Sequence, residues 1–291
     1  MQTTIFQTDV MEVGDIEGAV REHLAAFARG DFDAWGESFA PNVFFTAADP
    51  EEVFLERETV VAEMHRDFDF AFDEGLQVDL EPQSFRLGIS PDQKLAWSAA
   101  PLRYTVRFQG EANSFVLRHT AVLLKIDRRW FITATQYSLT LPAARILQVL
   151  TGRYLPTPNV IVNKIPPNAQ SLVNEFTDNL ADLSIAAITR DAYAFGPFPE
   201  EYAKGETDVQ ALFARWTARW GALRLRPEGM RAEFVSAESG WVGANVEVNM
   251  SYMGELVKLP LRALFVYQKE QDHWAIAHAH LSVGIPDELA E

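Results

Sequence analysis

The feature that most constrains this chain is an internal repeat with an offset of 144 residues. Residues of the segment 117–142 recur at that offset, with Leu117, Arg118, Val122, Lys125, Trp130, Ile132, Ser138 and Pro142 matched by Leu261, Arg262, Val266, Lys269, Trp274, Ile276, Ser282 and Pro286. Trp97 and Gly110 are matched by Trp241 and Gly254 without any gap. The repeat indicates a duplicated domain, and 291 residues are enough for two separate hydrophobic cores.

The order of elements predicts the same α+β architecture in both copies. We expect domains at 1–142 and 169–291, joined over 143–168 by a short helix and a proline-rich linker. In the first copy, hydrophobic periodicity predicts helices near 12–29, 31–39 and 59–68, and strands near 43–45, 76–87, 95–108, 114–126 and 130–140. In the second copy it predicts helices near 169–187 and 206–221, and strands near 223–236, 240–253, 257–269 and 273–283.

Composition excludes several classes of function. The formal net charge is −16, with more acids than bases in both halves, so nucleic acid and anionic membrane surfaces are poor partners. The chain has no cysteine, which excludes disulfides and thiolate chemistry. The N-terminus shows no signal-peptide pattern, and no apolar run is long enough to span a bilayer, so we expect a cytoplasmic protein.

At this level of detail the sequence resembles the nuclear transport factor 2-like superfamily, and within it the SnoaL-like domains. The resemblance lies in the order of elements, the corner Phe27-Ala-Arg-Gly-Asp-Phe-Asp33 and the terminal strand Trp274-Ala-Ile-Ala-His-Ala-His-Leu-Ser282. The association domain of calcium/calmodulin-dependent kinase is similar too. The resemblance implies two tandem cone-shaped α+β barrels, each with helices packed in a strongly curved antiparallel sheet and a pocket at the wide end. It fixes no reaction, because the superfamily includes isomerases, cyclases, dehydratases and assembly domains.

The first helix also aligns with that of ketosteroid isomerase. In this alignment His23 falls where that enzyme has its oxyanion-hole tyrosine. The position of its general-base aspartate falls on Ala47, with Asp49 two residues further on. The departure at Ala47 speaks against steroid-type isomerisation.

The second copy offers one set of residues for acid–base chemistry. Alternation along a strand places His278 and His280 on the same face, and predicts that Trp274, Ile276 and Ser282 share it. We expect this mixed face to line the interior of the cone. If the polar faces of the neighbouring strands coincide, Glu247, Asn249 and Arg262 converge with the two histidines around a ligand.

The first copy has different residues at the matching positions. Ala134 and Gln136 replace the two histidines, and Arg103 replaces Glu247. A first-copy pocket lined by Arg103, Arg107 and Arg118 would favour an anion.

Two functions stay open at this stage. The first is a small-molecule-binding protein with its working pocket in the C-terminal copy. As an enzyme it would catalyse cofactor-independent isomerisation, cyclisation or dehydration, with His278 or His280 as acid/base and Arg262 holding an oxygen. The second is a non-catalytic binding or assembly module that associates through its outer sheet faces. The histidine pair could also be structural, and a metal role lacks an evident third ligand. We expect a pseudo-dimeric monomer or a homodimer.

Overall fold

The chain folds into two compact units. The computed structural model describes residues 10–49, 51–140, 165–182, 187–220, 224–252 and 255–285. Within these, the first unit takes the residues of 1–46, 54–89 and 93–137, and the second takes the remainder, including the short segments near 47–53 and 90–92. The predicted helix near 143–150 and most of the predicted linker lie outside the described residues.

The first unit packs three helices against one sheet. The helices are α1 (Val10–Ala28), α2 (Phe32–Glu37) and α3 (Arg57–Asp73). Gly30, at a φ of 71°, follows α1 as a C-terminal glycine, and Asp31 caps α2 by accepting a hydrogen bond from the Ala34 backbone N–H at 3.1 Å. Both the stop at Gly30 and the cap at Asp31 confirm the sequence prediction.

The sheet of the first unit has seven strands. These are β1 (Phe39–Thr46), β2 (Val53–Phe54), β3 (Gln77–Pro82), β4 (Arg86–Ile89), β5 (Leu95–Phe108), β6 (Glu111–Ile126) and β7 (Arg129–Leu139). The strand order is β2-β1-β7-β6-β5-β3, with β4 also paired to β5, and β1 runs parallel to β7. The predicted strand at 76–87 is two strands, because the chain leaves the ladder after Pro82 and pairs again only from Arg86.

The second unit repeats the plan with a six-stranded sheet. A short 3₁₀ helix (Pro167–Ala169) precedes α4 (Gln170–Asp182), and α5 covers Glu206–Trp220. The strands are β8 (Ile188–Phe195), β9 (Tyr202–Lys204), β10 (Arg224–Ser236), β11 (Ser239–Tyr252), β12 (Glu255–Glu270) and β13 (His273–Val283). Their order is β10-β11-β12-β13-β8-β9, with β8 parallel to β13. The strands β8 and β9 are absent from the sequence prediction.

Each core lies between the helices and one face of its sheet. In the first unit, Ile16, Val20 and Leu24 of α1 are buried, as their helical spacing predicts. In the second, Leu172 and Phe176 of α4 belong to one apolar cluster that includes residues of α5 and of β11–β13. Both units are therefore α+β cones. Among the described residues, no helix has the length and apolar character needed to cross a membrane.

Candidate functional site

The two histidines of β13 lie on the face of their sheet that is turned away from α4 and α5. Residues directly opposite each other in an antiparallel ladder share a face. Phe265 pairs with Ala279, and both belong to the core beneath the helices. Leu264 pairs with His280 and Val266 pairs with His278, so both histidines are on the other face. The expectation that His278 and His280 line the interior of the second cone is therefore wrong.

A β-bulge explains the error. The register between β12 and β13 shifts after Val266, so that Tyr267 lies opposite Ile276 rather than opposite Ala277. The extra residue reverses the alternation, because two residues on the bulged strand oppose one on its partner. As a result Trp274 and Ile276 join the core beneath the helices, and do not share a face with the histidines as predicted.

Both histidines are buried where they lie. The ring of His278 stacks on the ring of Tyr193, with 6.1 Å between the two centroids. Burial lowers the pKa of His278 to about 3, and a hydrogen bond with the Tyr193 backbone opposes part of this lowering. The Nε2 atom of His280 lies 2.9 Å from the Ser138 hydroxyl, and its ring meets Phe195 edge-on at 5.2 Å. His278 is therefore neutral near pH 7, and both rings are enclosed by aromatic and hydroxyl neighbours.

Arg262 is also buried, with 3% of its surface exposed. Its guanidinium donates to the backbone carbonyl of Asp49, a residue that groups with the second unit. Burial lowers the Arg262 pKa to about 10, and the Glu52 and Asp49 carboxylates act in the opposite direction. The residue therefore stays charged and is engaged in holding the 47–53 loop, which also receives a hydrogen bond from the Ile285 N–H to the Ala48 carbonyl at 2.9 Å.

The predicted convergence of Glu247 with the histidines does not occur. Glu247 lies opposite Pro260, whereas His278 lies opposite Val266, six residues further along β12. At about 3.3 Å per strand residue this separation is roughly 20 Å. Asn249 is further away still, since its backbone pairs with Lys258, and its side chain lies outside the described part of the chain.

The interior of the first unit, by contrast, carries a hydrogen-bonded network around His23. The indole N–H of Trp35 donates to His23 Nε2 at 3.1 Å, and the Tyr137 hydroxyl lies 2.9 Å from the same nitrogen. His23 Nδ1 lies 2.7 Å from the Ser38 hydroxyl, which donates to the Trp35 carbonyl at 2.6 Å. His23 itself is 1% exposed.

The donor directions in this network fix the tautomer of His23. Because the Trp35 indole can only donate, Nε2 is an acceptor, so the ring proton resides on Nδ1 and is donated to Ser38. The Tyr137 hydroxyl then donates to Nε2 as well. Burial, followed by the nearby His119, holds the pKa of His23 well below its ordinary value. His23, the residue at the predicted oxyanion-hole position, therefore donates its only ring N–H to another residue of the protein, Ser38.

His119 extends the network on the neighbouring strand. Its ring stacks on Tyr137 at 4.4 Å, and its Nε2 lies 3.1 Å from the Thr135 hydroxyl. Thr135 donates its proton to the Thr120 carbonyl at 2.9 Å, so Nε2 of His119 must be the donor. Burial lowers the pKa of His119 to about 3, and its Nδ1 is a buried acceptor without a hydrogen-bond partner among the described residues.

The three arginines predicted to share a first-copy pocket lie on one face of the sheet, because Arg118 pairs with Pro101, two residues before Arg103 on β5, but they differ in exposure. Arg118 is 4% exposed and neighbours His119 on β6, so it lies on the opposite face from that ring. Arg103 and Arg107 are exposed instead and pair with Glu81 (3.4 Å) and Asp79. They line a groove of about 770 Å³ on the first unit, formed by α1, β3 and β5.

The groove has four guanidinium groups and two carboxylates in its lining. It is lined by Arg21, Ala25, Ala28, Arg29, Val78, Asp79, Leu80, Glu81, Pro82, Arg103, Thr105 and Arg107. On α1 the lining positions follow helical spacing, so one face of the helix forms a wall. On β5 the lining positions alternate, which places Arg103 and Arg107 on the same face of the strand. Within the described residues, no three histidine or acidic side chains are grouped to hold a metal ion.

Sequence reasoning missed the interior network and the aromatic neighbours of His278. A signal for the network was present, because Leu117, His119, Ala121 and Leu123 alternate on β6 and three of the four are apolar. A histidine in that series is expected to face the core. The aromatic neighbours come from β8, which sequence reasoning did not predict.

The fold and the arrangement of the helices define the class of this protein as a tandem of cone-shaped α+β domains. The chain belongs to the SnoaL-like domain family, whose model matches residues 16–142 and again 171–286. No curated protein matches the sequence.

Solved structures with a similar fold include three of low sequence identity. One is a domain of unknown function with a cystatin-like fold from Nostoc punctiforme, with 17% identity, a TM-score of 0.40, and coverage of 60% of this chain and 98% of that chain. A nuclear transport factor 2-like protein with a cystatin-like fold from Novosphingobium aromaticivorans has 14% identity, a TM-score of 0.39, and coverage of 46% and 86%. A ketosteroid isomerase-like protein from Erwinia carotovora atroseptica has 14% identity, a TM-score of 0.38, and coverage of 46% and 100%. At these identities the similarity concerns the fold alone.

Proposed function

We propose that this protein binds a small organic anion, and that the binding site is the arginine-lined groove of the first repeat. The observation that carries the proposal is the groove itself, about 770 Å³ in volume and lined by four arginines. Grooves of several hundred cubic ångströms accommodate metabolite-sized ligands. Guanidinium groups bind carboxylates and phosphates with paired hydrogen bonds, so an anion is the ligand class that suits this lining.

The arginines of the groove stand out against the acidity of the whole chain, whose net charge is −16. Each of them already has a carboxylate partner: Arg21 pairs with Glu17, Arg29 with Glu22, Arg103 with Glu81 and Arg107 with Asp79. A ligand anion would take the place of one or more of these carboxylates at a cluster of four guanidinium groups.

The second repeat is assigned a structural role in this proposal. Its described interior is filled by an apolar cluster that includes Ala263, Phe265, Ala279 and Leu281. The polar residues that the sequence predicts for its pocket, His278, His280 and Arg262, are buried on the other face of the sheet.

Isomerase-type turnover is not part of the proposal. The position expected for a general base is Ala47, and the Asp49 carboxylate accepts a hydrogen bond from the Glu51 N–H at 2.8 Å as part of a turn. His23, at the position of the expected oxyanion donor, already donates its single N–H to Ser38. Binding without chemistry is the function that these contacts favour.

The test is ligand-dependent thermal stabilisation with a panel of aliphatic and aromatic carboxylates, for the wild type and for Arg103→Gln/Arg107→Gln. A ligand that binds only the folded state raises Tm once its concentration exceeds Kd. We expect the shift to be lost in the double variant and retained in Arg190→Gln, an exposed arginine on β8 outside the groove. Equal shifts in both variants would refute the groove as the site, and no shift with any anion would refute the proposed function.

A second candidate function, assembly, is favoured by one exposed apolar pair. Phe115 and Val116 on β6 are 39% and 45% exposed, and they end a segment, 111–116, in which every residue is exposed. Association would then use this ribbon, since the outer-face residues Arg118 and His280 are buried. Sedimentation velocity of the wild type and Phe115→Ser/Val116→Thr tests it, and a concentration-independent monomer in both would reject it.

A further inference from the structure

The first residues of β6 extend beyond the end of the neighbouring strand β7. Asp127 and Arg128, with φ values of 46° and 67°, form a two-residue turn between the two strands. β6 has 16 residues and β7 has 11, so pairing that starts at this turn leaves residues 111–115 of β6 beyond the end of β7. All five of these residues are exposed. They are called the β6 edge below.

The backbone of the β6 edge alternates between bonding to β5 and pointing away from it. The Lys125 N–H donates to the Lys94 carbonyl at 3.0 Å, and the register between β5 and β6 is continuous from there to the tip of the hairpin. Every second residue of an antiparallel ladder bonds to its partner, so residues 111, 113 and 115 bond to β5. Ala112 and Ser114 therefore direct their N–H and C=O groups to the other side, where no strand of the described residues pairs with them.

The β6 edge lacks the features that commonly prevent strand edges from associating. It has no proline and no lysine, and no bulge interrupts its pairing with β5. Glu111 is its only charged residue, although the chain as a whole carries a net charge of −16. The edge strand β3, by contrast, ends at Pro82 and carries Asp79 and Glu81. Self-association is therefore opposed at β3 and is not opposed at the β6 edge.

A pocket adjoins the β6 edge. It has a volume of about 350 Å³ and is lined by Val106, Phe108, Gln109, Glu111 and Asn113. Glu111 pairs with Phe108 and Asn113 pairs with Val106, so these four side chains share one face of the sheet. Phe115 is on the same face, because it is two residues from Asn113. Its ring contacts that of Tyr104 at 4.9 Å between centroids, and 39% of the residue is exposed.

We propose that the β6 edge pairs with the same segment of a second copy of the chain, in a two-fold symmetric antiparallel ladder. Ala112 pairs with Ser114 of the second copy and Ser114 with its Ala112, so that each pair exchanges two backbone hydrogen bonds. Asn113 then lies opposite its own equivalent on the two-fold axis. This register uses all five residues of each edge and ends before β7 on both sides.

The side chains of the β6 edge suit this register. Phe115 lies opposite Glu111 of the second copy, beside the pocket of that copy, and its exposed ring surface is removed from water. Glu111 lies opposite Phe115 in turn, so no two like charges face each other across the ladder. The inference rests on the second candidate function, assembly, whose contact it specifies, and it is independent of anion binding.

The experiment is sedimentation equilibrium of the full chain as wild type, Asn113→Asp and Asn113→Lys. Each variant should associate about fivefold more weakly than the wild type, because two like charges meet on the axis. The aspartate variant should be weakened more, since Glu111 lies on the same face. An equimolar mixture of the two variants should recover the association, because aspartate then faces lysine.

Controls separate this contact from a general effect of charge. Asn42→Asp and Asn42→Lys change an exposed asparagine of β1 and should associate like the wild type, both alone and when mixed. Asn113 is exposed, so its two variants should keep the wild-type Tm. Amide hydrogen exchange gives a second readout. The amides of Ala112 and Ser114 should exchange more slowly at high than at low protein concentration in the wild type, and in neither Asn113 variant alone.

The outcomes distinguish this inference from the proposals on which it bears. Weaker association of both Asn113 variants, recovery in the mixture and slower exchange at Ala112 and Ser114 would support it. A wild type that associates while the mixture recovers nothing, or while both variants associate equally well, would refute the β6 edge as the contact and leave assembly standing. A wild type that is monomeric at every concentration would overturn both, and would leave the test of anion binding unaffected.

Discussion

Replacing His119 with glutamine should remove a defined part of the acid sensitivity of the first unit. His119 has a pKa of about 3 in the folded protein because it is buried, against about 6.5 in an unfolded chain. Below pH 6.5 the unfolded state therefore binds a proton that the folded state excludes. Stability linked to this group is fully present above pH 6.5 and is lost as the pH falls toward 3.

The magnitude follows from the linkage relation. Each pH unit below the unfolded pKa costs about 1.36 kcal/mol per histidine that stays neutral in the fold. Between about pH 7.5 and pH 5 the loss from His119 is therefore about 2 kcal/mol. Glutamine does not titrate, and its side-chain N–H₂ can replace the His119 Nε2–H donor to Thr135. The variant should lose about 2 kcal/mol less than the wild type over this interval.

The assay is urea unfolding of wild type and His119→Gln at about pH 7.5, 6.5, 5.5 and 5. The difference between the proteins cancels the contribution of the carboxylates and of His278, which His119 does not touch, while His23 stays buried in both proteins. Parallel pH dependence in the two proteins would refute the reasoning. So would a proton resonance of the His119 ring that titrates with a midpoint near pH 6.5, because the ring would then be protonated in the folded state.

Three other substitutions test the packing described above. Tyr137→Phe should cost about 1 kcal/mol, since it removes one hydrogen bond while His23 keeps its others, and an unchanged urea midpoint would show that this bond is absent. Gly88→Ala should destabilise the first unit by about 1–3 kcal/mol, because the new methyl carbon would lie 2.1 Å from the Trp97 ring; near-wild-type thermal stability would contradict this. Arg262→Met should destabilise the second unit by about 1–3 kcal/mol, since a loop carbonyl loses its donor, and faster proteolysis of the 47–53 loop is the expected readout.

The sequence was sufficient to predict most of the strands. The predicted strand at 95–108 has the bounds of β5, because the turns around Ser90-Pro91 and Gln109-Gly110 punctuate it on both sides. It was insufficient for β8, whose burial pattern does not alternate and whose partner β13 is parallel and more than 80 residues away in sequence. The local sequence pattern of β8 carries no information about a partner strand that is so distant in sequence.

The site was much harder to predict than the fold, and the bulge in β13 shows the physical reason. A strand face can be read from alternation only when the register is continuous. One extra residue between Ile276 and His278 reverses the face of everything on one side of it. The volume of the groove could not be predicted from the sequence either, because it depends on how α1 lies along β3. Of the first-copy arginines, Arg103 and Arg107 do line one groove, whereas Arg118 shares their face of the sheet but is buried and is not part of the lining.

The duplication itself separates what the fold requires from what one copy has added. His119, Thr135 and Tyr137 of the first repeat correspond, at the offset of 144, to Ala263, Ala279 and Leu281 of the second. The second set forms an apolar core under its helices, so the same strand positions can be filled without any hydrogen bond. A buried polar network costs desolvation that each of its hydrogen bonds must offset, and an apolar core avoids that cost. The first repeat carries this cost although its fold does not require it. Because the network fixes α1 to β7 through His23 and Tyr137, it also fixes the helix that forms one wall of the groove. Under the proposed function, the polar interior holds the groove wall of the first repeat in place, and the second repeat, which lacks this network, is assigned a structural role.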